Sequence, residues 1–474
     1  MVDHSFVENA PILGPEWPPD RPLKVAVIAG ESSGDRQAAL LIQQLRDLVA
    51  PVIVDAWGAG GKFMREAGIT TVFDTDPWSS VTIAATARNV PRWLAARRAL
   101  KRKIAHQRPD CLILVDAGAF NVPIGKWAKE SKICPVFYYF PPGSWRRVPK
   151  KSQPPARSGL ADASDMIVTP FPWSEVILTS GGVDAHFVGH PLLDSVDTSL
   201  DAEIFHQRFG LDPLRPLVAL FPGSRRTELK FILPSMIGAA GEISRRIPGV
   251  QFALVLAPSI PRAVVENAIR HEQKLGGRAA RLQLLLGHAT DRIAQIASAK
   301  LGPSPQLATS EGLTMPAPGR DDHETTRDRP GGAPAPLVIC EGVNYDVMKH
   351  SDLIITKSGT TTLEAAILHK PMIIVYRGSA LMKLEWTLRK ARLNAKYIGL
   401  PNILADEKLF PELIQEKATP EAISELAVET LLQPERILQL KSRLSDVMRA
   451  TLGEPGGSKR AAELLCQLIR NRQA

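Results

Sequence analysis

Carboxylates that follow short apolar runs, and Ser, Thr or Arg groups held in glycine turns, are the residues of this chain best placed for chemistry. Asp116 ends an apolar run that begins at Cys111, and it opens Asp-Ala-Gly-Ala-Phe-Asn121. Ligands of open α/β sheets bind beyond the C-terminal ends of strands, so Asp116 stands where a general base would be needed. An aspartate capping the next helix would have the same spacing. Gly30-Glu31-Ser32-Ser33-Gly34-Asp35 follows another apolar run, Val25 to Ala29. Such a turn offers backbone N–H groups at a helix start to an anion or a sugar oxygen. Asp35 is a second candidate catalytic carboxylate, or equally a helix cap.

The second half repeats this logic. Phe221-Pro-Gly-Ser224-Arg225 joins an apolar run to a helix, and an arginine there can pair with diphosphate oxygens in bidentate fashion. A solvated surface arginine is the plainer alternative. Lys357-Ser358-Gly359-Thr360-Thr361-Thr362-Leu363-Glu364 is the most informative stretch. Its small-residue turn presents N–H and hydroxyl donors to phosphate, and Glu364 can accept hydrogen bonds from ribose hydroxyls. A capping box uses the same residue types.

Alternating strands and helices must position these groups. Strands are expected at 25–30, 51–57, 111–117, 136–140 and 166–169, then at 217–221, 252–256, 282–286, 352–356 and 372–376. A helix with Leu40, Leu41 and Leu45 on one side covers 35–48. Continuous apolar runs of strand length point to parallel sheets covered on both faces. The fold class expected is α/β, with two doubly wound, Rossmann-like domains facing a cleft. The expected boundaries are a disordered segment at 1–20, a first domain at 21–200 and a second at 210–450. A C-terminal helix at 455–474 is expected to return to the first domain. Residues 192–215 read as the hinge. Residues 301–336, rich in Pro, Gly, Ser and Thr after an expected helix at 291–300, read as a disordered insertion.

The chain has 474 residues, 44% hydrophobic and 23% charged, enough for two ordinary cores. Four scattered cysteines show no metal-ligand spacing and suit a reducing compartment. No apolar run approaches the roughly 20 residues of a membrane span, and residues 1–20 do not resemble a secretory signal. The net charge of +9 is local: residues 88–108 carry eight Lys or Arg and no acid, and residues 143–157 carry five more. Within the first patch, Trp93, Ala96, Leu100 and Ile104 form one helical stripe, flanked by Arg97, Arg98, Lys101 and Arg102. A basic amphipathic helix of this kind suits an anionic bilayer surface. A core-packing helix with a solvated cationic face fits the pattern equally well. Nucleic acid is a poor partner for a chain with 6% aromatic residues and no recognised binding module.

Six stretches, in this order, resemble the lipid-A-disaccharide synthase family, inverting glycosyltransferases of family 19 with the GT-B architecture. They are Ala29 to Asp35, Asp116 to Asn121, Val188-Gly-His-Pro-Leu192, Phe221 to Arg226, Ser358 to Glu364, and Leu400-Pro-Asn402-Ile-Leu-Ala405 followed by Pro411 to Glu416. The resemblance implies transfer of 2,3-diacylglucosamine from its UDP derivative to 2,3-diacylglucosamine 1-phosphate, giving a β-1,6 disaccharide and UDP. It implies donor binding by Ser224, Arg225, Ser358, Gly359, Thr360, Thr361, Glu364 and Asn402 in the C-terminal domain. Gly30, Glu31, Ser33, Gly34 and Asn121 would form the acceptor-side loop around Asp116. No cofactor and no metal are implied, and the enzyme is expected in the cytoplasm at the inner face of the inner membrane. The acceptor side departs from the family pattern. Gly118 and Ala119 replace a proline and a second acid, residues 79–89 replace an apolar Met-Gly segment, and residues 139–145 match only loosely. Another GT-B transferase with a different lipid acceptor, a UDP-sugar epimerase of this architecture and a non-catalytic membrane-surface module are the alternatives.

Overall fold

Short runs of Val, Ile and Leu build the centre of both halves. The computed structural model describes residues 17–18, 20–30, 32–75, 83–141, 159–258, 260–274, 282–285, 335–379 and 396–472. The chain divides into two units. One comprises Met1–Asp197, Ile403–Glu407 and Ser442–Ala474; the other comprises Thr198–Asn402 and Lys408–Lys441. Glu31, the expected helix at 291–300, residues 301–334 of the insertion, residues 142–145 and the basic stretch 143–157 lie outside the described residues.

The first unit holds seven parallel strands: β1 Leu23–Ala29, β2 Val54–Gly60, β3 Thr70–Asp74, β4 Cys111–Val115, β5 Val136–Tyr139, β6 Met166–Thr169 and β7 Ala185–Phe187. Their order is β3-β2-β1-β4-β5-β6-β7. Alternate residues of β1 enter different cores. Val25, Val27 and Ala29 pack with Leu41, Ile42 and Leu45 of the helix Ser32–Val49 and with Leu465, Cys466 and Ile469 of the helix Gly457–Asn471. Ala26 and Ile28 pack on the other side with Ala96, Leu100 and Ile104 of the helix Ile83–Gln107. Each Leu or Ile buried this way contributes about 1.5–3 kcal/mol.

The second unit repeats the plan with β8 Leu217–Phe221, β9 Gln251–Leu256, β10 Leu282–Leu285, β11 Ala335–Glu341, β12 Leu353–Lys357, β13 Met372–Tyr376 and β14 Glu412–Ile414. These strands are also parallel, in the order β10-β11-β9-β8-β12-β13-β14. Each sheet reverses its direction of strand addition once. The reversal falls between β1 and β4 in the first unit and between β8 and β12 in the second. At such a switch point the loops diverge and leave a crevice at the strand C-termini.

Several expectations are corrected. The strand expected at 51–57 runs from Val54 to Gly60, because Ile53 is 74% exposed while Gly58 lies flush against the backbone of Val27. A weak strand former is required there by close contact rather than by propensity. Residues 335–336, assigned to the insertion, belong to β11, where Ala335 and Pro336 pair with Leu282 and Gln283. Trp17, placed in the disordered segment, is 7% exposed; its Nε1 donates to the Arg21 carbonyl at 3.1 Å. The helix Pro434–Leu452 is divided between the units, so residues 442–450 belong with the first. The Asp194 carboxylate accepts the Gly456 N–H, and the Ser458 N–H at 2.8 Å, holding the start of the C-terminal helix. All four cysteines are buried and unbridged.

Candidate functional site

In the first unit, β1 and β4 end side by side at the switch point. Gly30 follows β1, and a Cβ there would collide with the side chain of Ala117, so only glycine allows the two loops to meet. Gly34, in the first turn of the next helix, would place a Cβ 3.6 Å from Asp116 Cβ. Ser33 is exposed on the same turn. The structure thus brings Gly30 and Gly34 against the Asp116–Ala117 turn, with Ser33 next to Gly34 in sequence.

Asp116 and Ala117 both adopt left-handed backbone, with φ of 49° and 44°. That conformation is costly for a residue with a Cβ and persists only where its surroundings impose it. Here the Asp116 carbonyl accepts Asn121 Nδ2 at 3.0 Å and the Tyr138 hydroxyl at 2.7 Å, while its N–H donates to the Tyr139 carbonyl at 3.2 Å. Asn121 is fully buried, and its Nδ2 also reaches the carbonyls of Val115 at 3.0 Å and Ile28 at 3.3 Å. It ties β1 to β4 and orients Asp116; it is a scaffold of the loop rather than part of its open surface. Tyr138 was missed by sequence reading, although a tyrosine inside a buried run must find a partner for its hydroxyl. Burial, then the negative charge of Asp116, pushes the Tyr138 hydroxyl pKa up, so it donates as a neutral group.

Asp35 does not join this group as a solvent-facing acid. It is 1% exposed, and its carboxylate accepts the N–H groups of Gly61 at 2.6 Å, Phe63 at 2.8 Å and Met64 at 3.3 Å. Those contacts make it the cap of the helix Lys62–Glu66.

The expected membrane stripe is also reassigned. Ala96, Leu100 and Ile104 are buried in the first unit's own core, and Trp93 packs edge-on against Phe120 at 6.5 Å. Arg97 lies 5.6 Å over Phe120, with Nη2 3.4 Å from the Ala119 carbonyl. Lys101 lies 4.9 Å over Trp127, and burial, then Arg97, lowers its pKa. Arg98 and Arg102, with Arg92, form the exposed cationic face, beside Leu94 at 40% exposure.

In the second unit the corresponding turns follow β8 and β12. The Ser224 N–H donates to Glu228 at 3.1 Å, and Arg225 Nη1 lies 3.3 Å from the same carboxylate. After β12, the Ser358 hydroxyl donates to the Ile398 carbonyl at 2.8 Å, and Gly359 precedes the helix Thr360–Ile367. Thr360 is exposed and Thr361 half-buried at that helix start. Glu364 is half-buried and accepts the Tyr345 hydroxyl at 3.1 Å. Ser224, Arg225, Ser358, Gly359, Thr360 and Thr361 therefore share one end of one sheet, with Glu364 a turn further along.

Asn402 does not present its amide to that end. It is fully buried, with Oδ1 accepting the Phe410 N–H at 2.9 Å and Nδ2 donating to Phe410 at 2.9 Å and Glu412 at 2.8 Å. Glu412 in turn accepts the N–H groups of Ile398 at 3.0 Å and Gly399 at 2.9 Å, so Asn402 braces the loop that receives Ser358. Two residues to which the sequence reading gave no role also stand here. Lys357 ends β12 with Nζ 2.9 Å from Glu228. Gln415, at φ 55° beyond β14, is 7% exposed; its Oε1 accepts the Gly378 N–H at 3.2 Å.

The model of the lipid-A-disaccharide synthetase family matches residues 25–294 and 333–467. The lipid-A-disaccharide synthase of Trichlorobacter lovleyi is 32% identical over 453 residues, covering 95% of this chain and 98% of its own. That of Geobacter metallireducens is 31% identical over 450 residues, covering 94% and 97%. Among solved structures, the UDP-GlcNAc 2-epimerase from Neisseria meningitidis bound to UDP-GlcNAc is similar with a TM-score of 0.52 at 14% identity, covering 94% of this chain and 98% of that one. That last likeness is one of fold alone.

Proposed function

The chain belongs to the lipid-A-disaccharide synthase family, and we propose that its two switch points divide the work, the second unit holding the UDP-sugar and the first activating the acceptor. It is an α/β, two-domain hexosyltransferase that joins two acylated glucosamines into the lipid A disaccharide with release of UDP.

In our reading, Arg225, the Ser224 hydroxyl and the N–H groups of Thr360 and Thr361 take the diphosphate, and Glu364 takes the ribose hydroxyls. Asp116 removes the proton from the acceptor 6-hydroxyl as that oxygen bonds to the donor's anomeric carbon. The bond from that carbon to the diphosphate breaks, and its electron pair leaves on UDP, inverting the configuration. Cationic side chains and N–H dipoles meet the leaving charge, so neither a metal nor a cofactor is required. The acceptor is 2,3-diacylglucosamine 1-phosphate. The observation that carries this reading is the convergence, at one switch point per sheet, of stretches read separately along the chain.

No helix among the described residues is long and apolar enough to cross a membrane. We assign the approach to an anionic, inner-leaflet surface to Arg92, Arg98 and Arg102, since the Trp93 stripe is occupied in the core.

Mass spectrometry of the product from UDP-2,3-diacylglucosamine and its 1-phosphate partner, with EDTA present, tests the function. The expected product is the β-1,6 disaccharide phosphate with equimolar UDP. An epimerised UDP-sugar, or a product only with another acceptor, would replace this reading by one of its alternatives.

A further inference from the structure

Glu228 is a carboxylate only 5% exposed at the β8–β12 switch point. A buried charge of this kind persists only when it is paired. Its partners come from both arms of the crevice: Arg225 Nη1 at 3.3 Å after β8, and Lys357 Nζ at 2.9 Å at the end of β12. The strands are adjacent, with Thr356 level with Phe221, so Lys357 stands beside the turn that carries Ser224 and Arg225. The turn is shaped around the carboxylate. Gly223 has φ 115°, and a Cβ on it would lie 3.1 Å from Glu228 Cβ. Lys357 also reaches the other turn, since a Cβ on Gly359 would stand 3.4 Å from its Nζ.

The layering matters. The Arg225 and Lys357 side chains are 28% and 21% exposed, above a carboxylate at 5%. Two cations sit over one anion, and both retain access to solvent. The cluster carries one positive charge in excess, in a setting that screens it less than bulk water does. A phosphate-bearing ligand entering between the two turns would supply the missing negative charge.

We propose that Lys357 is a second diphosphate-binding cation of the donor site, and that Glu228 is the positioning residue holding Lys357 and Arg225 toward the phosphates. This rests on the donor reading given above. Arg225 alone would contact one side of the diphosphate from β8; Lys357 adds a contact from β12. Glu228 itself does not touch the ligand. It fixes two flexible side chains in advance, which reduces what binding must order.

Calorimetry on the full chain with UDP and with uridine separates the possibilities. Lys357→Met should weaken UDP binding about 10- to 100-fold, as for a lost hydrogen bond to a charged group, and leave uridine unchanged. Lys357→Arg should retain most of the UDP affinity. Glu228→Gln should lower the UDP-to-uridine affinity ratio, and Glu228→Asp should restore part of it. If Lys357→Met binds UDP as the wild type does, the proposal is wrong. Equal losses for UDP and uridine would give Lys357 and Glu228 a structural role only, and would also overturn it. Should Glu228→Gln fail to fold, the two Lys357 variants decide the matter. A wild-type protein with no UDP affinity would instead refute the donor reading itself.

Discussion

Replacing Asp116 by Asn removes the proposed base while preserving the backbone that presents it. Asp116 sits at φ 49°, and Asn is among the few residues with a Cβ that tolerate the left-handed region. The tie from Asn121 Nδ2 at 3.0 Å and that from the Tyr138 hydroxyl at 2.7 Å both reach the Asp116 carbonyl, which the substitution leaves in place. Stability should therefore change by less than about 0.5 kcal/mol. Asp116→Ala should cost about 1 kcal/mol, because alanine lacks that tolerance. Turnover of Asp116→Asn should fall about 10²–10⁴-fold, the range for loss of a general base. UDP affinity should hold, since the proposed donor residues belong to the other unit. Steady-state rates from UDP release, with urea unfolding and UDP calorimetry on both variants, make the comparison. Near wild-type turnover in a folded Asp116→Asn protein would refute the assignment. Asp35 could not then take its place, because its carboxylate already receives three backbone N–H groups.

Asp35→Asn should lower stability by about 3 kcal/mol, two charged hydrogen bonds' worth, without changing UDP affinity; an unshifted urea midpoint would show that the cap is dispensable. His190 is half-buried, and desolvation lowers its pKa to about 3 from 6.5, while its Nδ1 accepts the Leu192 N–H at 3.2 Å. The neutral ring is the folded form, so its contribution is complete above pH 6.5 and is lost as pH falls toward 3, by on the order of 3–5 kcal/mol. His190→Gln should flatten the stability profile across that window, and an equally steep acid limb would contradict this. Arg92, Arg98 and Arg102 replaced together by Gln should abolish salt-sensitive binding to phosphatidylglycerol vesicles, whereas Trp93→Ala should chiefly destabilise the first unit; the opposite ranking in a vesicle sedimentation assay would restore the Trp93 stripe to the membrane.

The alternation of strand and helix, the two sheets and the order of the motif turns were legible because buried parallel strands are written as continuous apolar runs such as Val25 to Ala29 and Leu217 to Phe221. The position of Asp116 was legible for the same reason: a carboxylate immediately after such a run must fall at the strand's C-terminal end. The partners of the buried polar groups were not legible. Asp35 reads like an active-site acid, yet Gly61, 26 residues away, claims its carboxylate. Asn121 and Asn402 carry the residue type of a ligand contact, but three carbonyls occupy one, and Phe410 and Glu412 occupy the other. The Trp93 stripe has the periodicity of a membrane helix, which is also the periodicity of a helix packed on a sheet. Conversely, Glu228 and Lys357 give no local signal of belonging together. They meet because β8 and β12 are neighbours in register. A side chain's type states what it can bond; strand order and register determine what stands within reach, and those follow only from how the whole sheet packs.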